Sequence, residues 1–306
     1  MTYSEYRVSA DDGLSLYYRG YGESGDAVLC LPGLTRNCKD FHHLATHLTH
    51  RPGPPWRVIC ADLRGRGQSG HDRHYHHYHP GTYVRDTWRL LDDAGIDQVA
   101  VVGTSLGGLV AMMMASQQPA RLRGVVLNDI GPEIPAAALE RIQRYAGTSP
   151  PAEDWHAAAL QVKQVYEIAY PDMPDSFWQD YVRLSYRENA NGLPAPDSDP
   201  GIGRALREPS LWVRALQGLR RVGLNVKIAG IPVDPWGCFR DMTMPGLLLR
   251  GELSDVLTVD IVERMRRVKP DLQVVTVPGR GHAPLLDEPV ARRAIDNFLD
   301  DARRHR

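Results

Sequence analysis

Gly103-Thr-Ser105-Leu-Gly107 places a serine between two glycines in the spacing G-x-S-x-G. The apolar run Val99-Ala-Val-Val102 leads into it, and Leu109-Val-Ala-Met-Met-Met-Ala115 leaves it. The serine is therefore expected on a sharp strand-to-helix turn, where small neighbours let the chain reverse and the strained residue presents its Oγ at a sheet edge. A helix opening at Leu106 would add unsatisfied N–H groups and the positive end of its dipole beside that hydroxyl. Nucleophilic attack on a carbonyl is the chemistry such an arrangement supports.

A serine hydroxyl is a weak nucleophile alone, so a base and a group to orient it must lie elsewhere in the chain. Among 12 histidines, His282 in Val277-Pro-Gly-Arg-Gly-His282-Ala-Pro284 is the candidate base. Its loop follows the last expected strand, on the same sheet edge as Ser105. The candidate acid is Asp255, in Leu249-Arg-Gly-Glu-Leu-Ser-Asp255 after the preceding strand, giving the chain order Ser, Asp, His. Asp129, at the end of the strand after the Ser105 helix, is a rival in the same order, and Glu252 stands behind it. A tetrahedral intermediate needs oxyanion donors: the N–H of Leu106 is one, and the N–H of Leu34 in Leu31-Pro-Gly-Leu-Thr-Arg-Asn37 is the other. Arg36 and Asn37 in that loop are candidate substrate contacts, together with Trp155 and Trp212.

These loops need elements to position them. Ala27–Leu31 and Trp56–Ala61 are short apolar runs that end in glycine-bearing loops, as buried parallel strands do. Helical spacing marks Asp40 to Leu48 and Tyr83 to Ala94, and Leu122 to Asn128 is a further strand. The alternation stops from about Gly131 to Met244. That stretch carries helix-like pieces at Ala136 to Tyr145, Trp155 to Tyr170, Ser176 to Arg187 and Leu211 to Val222, with many aromatic residues. The pattern resumes at Pro245 to Arg250, a helix near Val259 to Val268, a strand at Leu272 to Val277 and a last helix at Glu288 to Asp301. The expected architecture is α/β, a mostly parallel central sheet with helices on both faces. Residues 1–130 and 245–306 form the core domain, and 131–244 are an inserted helical cap over the ligand-binding edge.

Composition excludes several alternatives. With 36 Lys+Arg against 37 Asp+Glu, the net charge of −1 leaves no basic field for nucleic acid or a membrane surface. At 42% hydrophobic and 24% charged the chain can bury a sizeable core. Four cysteines with no C-x-x-C pair point to reduced thiols. No secretory leader or spanning run is evident, so a cytoplasmic protein is expected. His71, His74, His76, His77 and His79 form a dense tract, but without regular ligand spacing it reads as a polar loop and not a metal site.

These motifs make the chain resemble the α/β-hydrolase superfamily, over roughly residues 12 to 130 and 244 to 303. Asp62-Leu-Arg-Gly-Arg-Gly-Gln-Ser69 is similar to the D-x-R-G-x-G-x-S segment common after the second core strand of these enzymes, where its role is structural. The resemblance implies an α/β-hydrolase fold with Ser105 as nucleophile, His282 as base, Asp255 as acid and no cofactor. Many members carry His-Gly in the oxyanion loop, whereas this chain has Pro32-Gly33, so its hole rests on backbone amides. Family dehalogenases and epoxide hydrolases use Asp at the elbow, and Ser105 sets this chain apart from them. The expected activity is hydrolysis of a small ester or lactone with an apolar or aromatic part. The alternatives are C–C bond hydrolysis or acyl transfer on the same residues, and, in another class, a slow-turnover ligand-binding signalling protein.

Overall fold

The computed structural model describes residues 3–208, 227–228, 231–232 and 234–304. Eight strands form the central sheet: β1 (Ser4–Ser9), β2 (Ser15–Tyr21), β3 (Asp26–Leu31), β4 (Trp56–Asp62), β5 (Val99–Thr104), β6 (Leu122–Asn128), β11 (Gly246–Gly251) and β12 (Gln273–Val277), in the spatial order β1-β2-β4-β3-β5-β6-β11-β12. The pairs β1–β2 and β2–β4 are antiparallel, and every pairing from β4 to β12 is parallel. No strand is expected from the sequence before Ala27. β1 escapes the apolar-run criterion because it buries only Val8, as an edge strand does, and β2 because its buried residues are mostly tyrosines among Ser, Arg and Gly.

Alternation along the parallel strands divides the core between two faces. Leu29, Leu31, Val99, Val101, Val125 and Leu127 point to one face, covered by α2 (Pro80–Asp93), α3 (Leu106–Gln117) and α9 (Val259–Val268). Val28, Cys30, Ala100, Val102, Leu247 and Leu249 point to the other, covered by α1 (His42–His50) and α10 (Pro289–Arg304). Both sides of each strand are buried, which is why these runs read as continuously apolar.

Between β6 and β11 the chain leaves the sheet through α4 (Ala136–Tyr145), α5 (Trp155–Tyr166), α6 (Asp175–Ser185), the hairpin β7 (Tyr186–Glu188) and β8 (Pro194–Pro196), α7 (Gly201–Arg207), the short pair β9 (Lys227–Ile228) and β10 (Ile231–Pro232), and α8 (Pro235–Arg240). The aromatics expected here mostly form a core of their own: Tyr170, Trp178, Tyr181 and Tyr186 pack with Ala158, Val162 and Val182. The helix expected to reach Arg187 ends at Ser185, because Tyr186 enters the β7–β8 ladder. The piece at Leu211 to Val222 lies outside the described residues. No helix among the described residues is long and apolar enough to cross a membrane.

Candidate active site

Ser105 sits between β5 and α3 with φ +51° and ψ −116°, a conformation L-residues rarely adopt. The chain holds it there by packing too close for side chains. A Cβ on Gly103 would lie 2.5 Å from the Gly107 carbonyl, and one on Gly107 would lie 2.1 Å from Leu31 O. The glycines let the start of α3 press against the ends of β5 and β3, and Ser105 is left at the sheet edge.

His282 reaches Ser105 from the loop after β12, with Nε2 2.9 Å from Oγ. That loop is clamped on three sides: Tyr170 Oη donates to Ala283 O at 2.6 Å, Asn128 Nδ2 donates to Pro284 O at 2.9 Å, and Gly281 N donates to Ala169 O at 2.8 Å. His282 Nδ1 lies 2.8 Å from Oδ2 of Asp129, which is fully buried. The other carboxylate oxygen, Oδ1, accepts from Gly251 N at 2.7 Å, and Oδ2 also accepts from Ser254 Oγ at 2.5 Å.

The expectation of Asp255 as the partner of His282 is therefore corrected. Asp255 forms a two-point ion pair with Arg141 of α4, both contacts at 2.9 Å, and its side chain is 41% exposed. One residue earlier, Ser254 turns inward to Asp129, so Asp255 turns outward. Glu252 is engaged by the Gly279 amide at 2.8 Å. The sequence signal for Asp129 is its place at the end of the apolar run Leu122–Asn128; that this strand pairs directly with β5 is decided by the sheet.

The Leu31 to Asn37 loop lies against the nucleophile: a Cβ on Gly33 would be 3.7 Å from Ser105 Cβ. Gly33 O accepts from Arg36 N at 3.3 Å, and since the C=O and N–H of a trans peptide point opposite ways, the Leu34 N–H faces out of that turn. Arg66 Nε donates to Leu34 O at 2.8 Å, while Asp62 accepts from Cys38 N at 2.7 Å and Gln68 N at 2.8 Å. The Asp62 to Ser69 segment thus braces the loop from beneath. Burial pushes the Asp62 carboxyl up in pKa despite those amides.

A cavity of about 170 Å³ opens over these residues, far more than the roughly 10–15 Å³ that one ordered water needs. Its lining joins Gly33, Leu34, Ser105, Leu106 and His282 to the apolar Leu109, Ile134, Leu139, Ile142 and Leu206 and the aromatic Tyr145, Tyr166, Tyr170 and Tyr181. Burial pushes the phenols of Tyr145, Tyr170 and Tyr181 up, so they stay neutral. Arg36 also lines the cavity, paired to Asp40 through Nε and Nη2 and stacked 4.3 Å from the Tyr181 ring centre.

Two other expected contacts are placed elsewhere. Asn37 is buried outside the cavity lining, donating to Leu184 O at 2.7 Å and accepting from Lys39 N at 3.0 Å. Trp155 lies under Arg183, 4.3 Å from ring centre to guanidinium, and is not in the lining. Trp212 lies outside the described residues. In the histidine tract, His79 caps α2, His77 pairs with Asp72 at 2.8 Å and His71 with Asp199 at 3.5 Å. Asp12, Asp72 and His77 bring ligand-type atoms within 4.8 Å of one another, but Arg64 already donates to both carboxylates.

A family profile described as the alpha/beta hydrolase fold matches residues 26–289. The chain is 29% identical over 94% of its length to a 3-hydroxybutyrate-oligomer hydrolase of Cupriavidus necator, covering 94% of that protein. It is also 29% identical to a 2-(acetamidomethylene)succinate hydrolase of Mesorhizobium japonicum, over 90% of this chain and 89% of that one. A crystal structure of an alpha/beta hydrolase from Novosphingobium aromaticivorans superposes with a TM-score of 0.84 at 37% identity, covering 98% of both chains.

Proposed function

This chain belongs to the α/β-hydrolase fold family, and on that premise we propose that it is a serine hydrolase cleaving a small carboxylic ester or lactone through Ser105, His282 and Asp129. The observation that carries the reading is the unbroken contact series Ser105 Oγ, His282 Nε2, His282 Nδ1 and Asp129 Oδ2, with steps of 2.9 and 2.8 Å outside the ring. Relatives whose names describe hydrolysis of a 3-hydroxybutyrate oligomer and of a succinate derivative support a small acid or its ester as substrate. Water is the default acyl acceptor, and the apolar and aromatic walls suit a substrate with an apolar part.

Paired with Asp129 through Nδ1, His282 carries its proton there and offers the Nε2 lone pair to the serine hydroxyl. As Ser105 Oγ attacks the substrate carbonyl, its proton passes to Nε2 and the carbonyl oxygen becomes an oxyanion. The N–H groups of Leu34 and Leu106 receive it, the latter free because it opens α3. Collapse breaks the ester bond, and the alcohol leaves with the proton from Nε2. Water then attacks the acyl-enzyme by the same route, releasing the acid and restoring Ser105. Asp129 orients the imidazole and stabilises its protonated form. Among the described residues of the insertion, α4 to α7 act as the cap, closing the cavity and strengthening the site's electrostatics by excluding water, while Trp236, Phe239, Met242 and Met244 pack into the core beside α3.

Turnover of p-nitrophenyl esters of increasing acyl length, and of lactones, tests this with wild type and Ser105→Ala side by side. Ser105→Ala is expected to lose on the order of 10³-fold or more in kcat while melting normally. Near-normal turnover in that variant, or no turnover of any of these substrates by folded wild type, overturns the proposal.

A further inference from the structure

We propose that Ser254 is a fourth member of the relay, a positioning residue whose hydroxyl fixes the proton arrangement of the other three. This rests on the serine-hydrolase reading above. Ser254 is buried in the turn after β11, and its Oγ stands 2.5 Å from Asp129 Oδ2, the same oxygen that faces His282.

A serine hydroxyl has one hydrogen and two lone pairs. The amides of Val256 and Leu257 both donate to Ser254 Oγ, at 3.3 and 3.0 Å. Its lone pairs are committed, so its single hydrogen goes to Asp129. The Gly251 amide donates to the other carboxylate oxygen at 2.7 Å. Asp129 thus receives one donor on each oxygen before His282 is considered. A carboxylate without a proton can only accept from Nδ1. That holds His282 in the tautomer whose Nε2 accepts from Ser105.

The need for such a donor follows from burial. Asp129 has no solvent exposure, and an ionised carboxylate there depends on hydrogen bonds to replace its lost hydration. Without the hydroxyl, Oδ2 loses one of the two donors that fix it, and the carboxylate no longer holds the Nδ1–H of His282 in the geometry that keeps the Nε2 lone pair facing Ser105. Ser254 never reaches the cavity lining, so its effect falls on the chemical step and not on substrate binding.

Ser254→Ala, Ser254→Cys and Ser254→Thr, measured on one p-nitrophenyl ester beside Ser105→Ala, provide the test. The alanine variant is expected to lose about 10- to 100-fold in kcat with KM within about twofold, as the loss of one charge-assisted hydrogen bond would give. The threonine variant, which keeps a hydroxyl, is expected to retain most of kcat, and the cysteine variant, a weaker donor, to fall between. In wild type the Nδ1 proton of His282 should give a proton resonance far downfield of the amides, and in Ser254→Ala that resonance should move or vanish. A kcat within twofold of wild type in Ser254→Ala, or a loss confined to KM, overturns the inference. So does an unchanged downfield resonance, which reports the relay even where the variant is less stable. If Ser105→Ala keeps normal turnover, the serine-hydrolase reading itself fails, and the two failures remain distinct.

Discussion

Asp129 and His282 stand 153 residues apart in the chain and 2.8 Å apart in space, joined through a carboxylate that water cannot reach. The sheet order explains the meeting. β6 lies beside β5, so the residue after β6 emerges next to the Ser105 turn, and β11 lies one strand further away. The loop after β11 therefore meets Asp129 through Ser254 before it could reach the imidazole.

Asp129→Asn and Asp255→Asn should separate cleanly. The amide at position 129 offers the wrong hydrogen-bonding pattern to Nδ1, and kcat is expected to fall on the order of 10³-fold or more with the fold intact. Asp255→Asn breaks a half-exposed pair with Arg141 and is expected to keep kcat within a few-fold. Steady-state kinetics on a single ester decides it, and the reverse pattern would restore Asp255 as the acid.

Gly107→Ala tests the packing that builds the elbow. The added methyl would meet the Leu31 carbonyl oxygen at 2.1 Å, and backbone cannot swing aside as a flexible side chain can. A loss of about 1–3 kcal/mol or more is expected from overpacking. It should come with a fall in kcat, because Leu31 leads into the oxyanion loop. Denaturant melts beside kinetics would show both effects together.

Tyr170→Phe removes the hydroxyl that holds the buried carbonyl of Ala283, the residue after His282. The orphaned acceptor is expected to cost about 1–3 kcal/mol. The looser loop should lower kcat more than it raises KM. A variant as stable and as fast as wild type would show that the Gly281 and Asn128 contacts suffice to hold the base.

One pH dependence follows from Asp12, whose carboxyl is held below its usual range, first by the hydrogen bond from Arg64. Because the folded-state pKa is lowered, the stabilisation is present above the ordinary value of 3.8 and is lost as pH falls through the lower folded value. The difference in Tm between wild type and Asp12→Asn is therefore expected to be steady from about pH 8 to 5 and to narrow below about pH 4. The side chain is 38% exposed, so added salt should shrink the difference at neutral pH.

The sequence by itself determined the features that short windows control. Two-sided burial made β3, β4, β5, β6 and β11 legible as apolar runs, and the glycines around Ser105 marked the elbow because only they permit such close backbone approach. The meeting of the His282 loop with the Ser105 turn was legible too, since both loops follow the C-terminal ends of strands that short apolar runs mark as parallel. Tertiary structure decided which carboxylate faces the imidazole, that Asn37 and Trp155 turn away from the cavity, and that Tyr145, Tyr166, Tyr170 and Tyr181 wall it. Asp129 and Asp255 both follow strands in the same chain order, so spacing could not separate them. What separates them is desolvation: one carboxylate is buried where three donors converge on it, and the other faces water and an arginine. That difference arises from the paths of loops brought together by strand order, and it exists only once the sheet has formed.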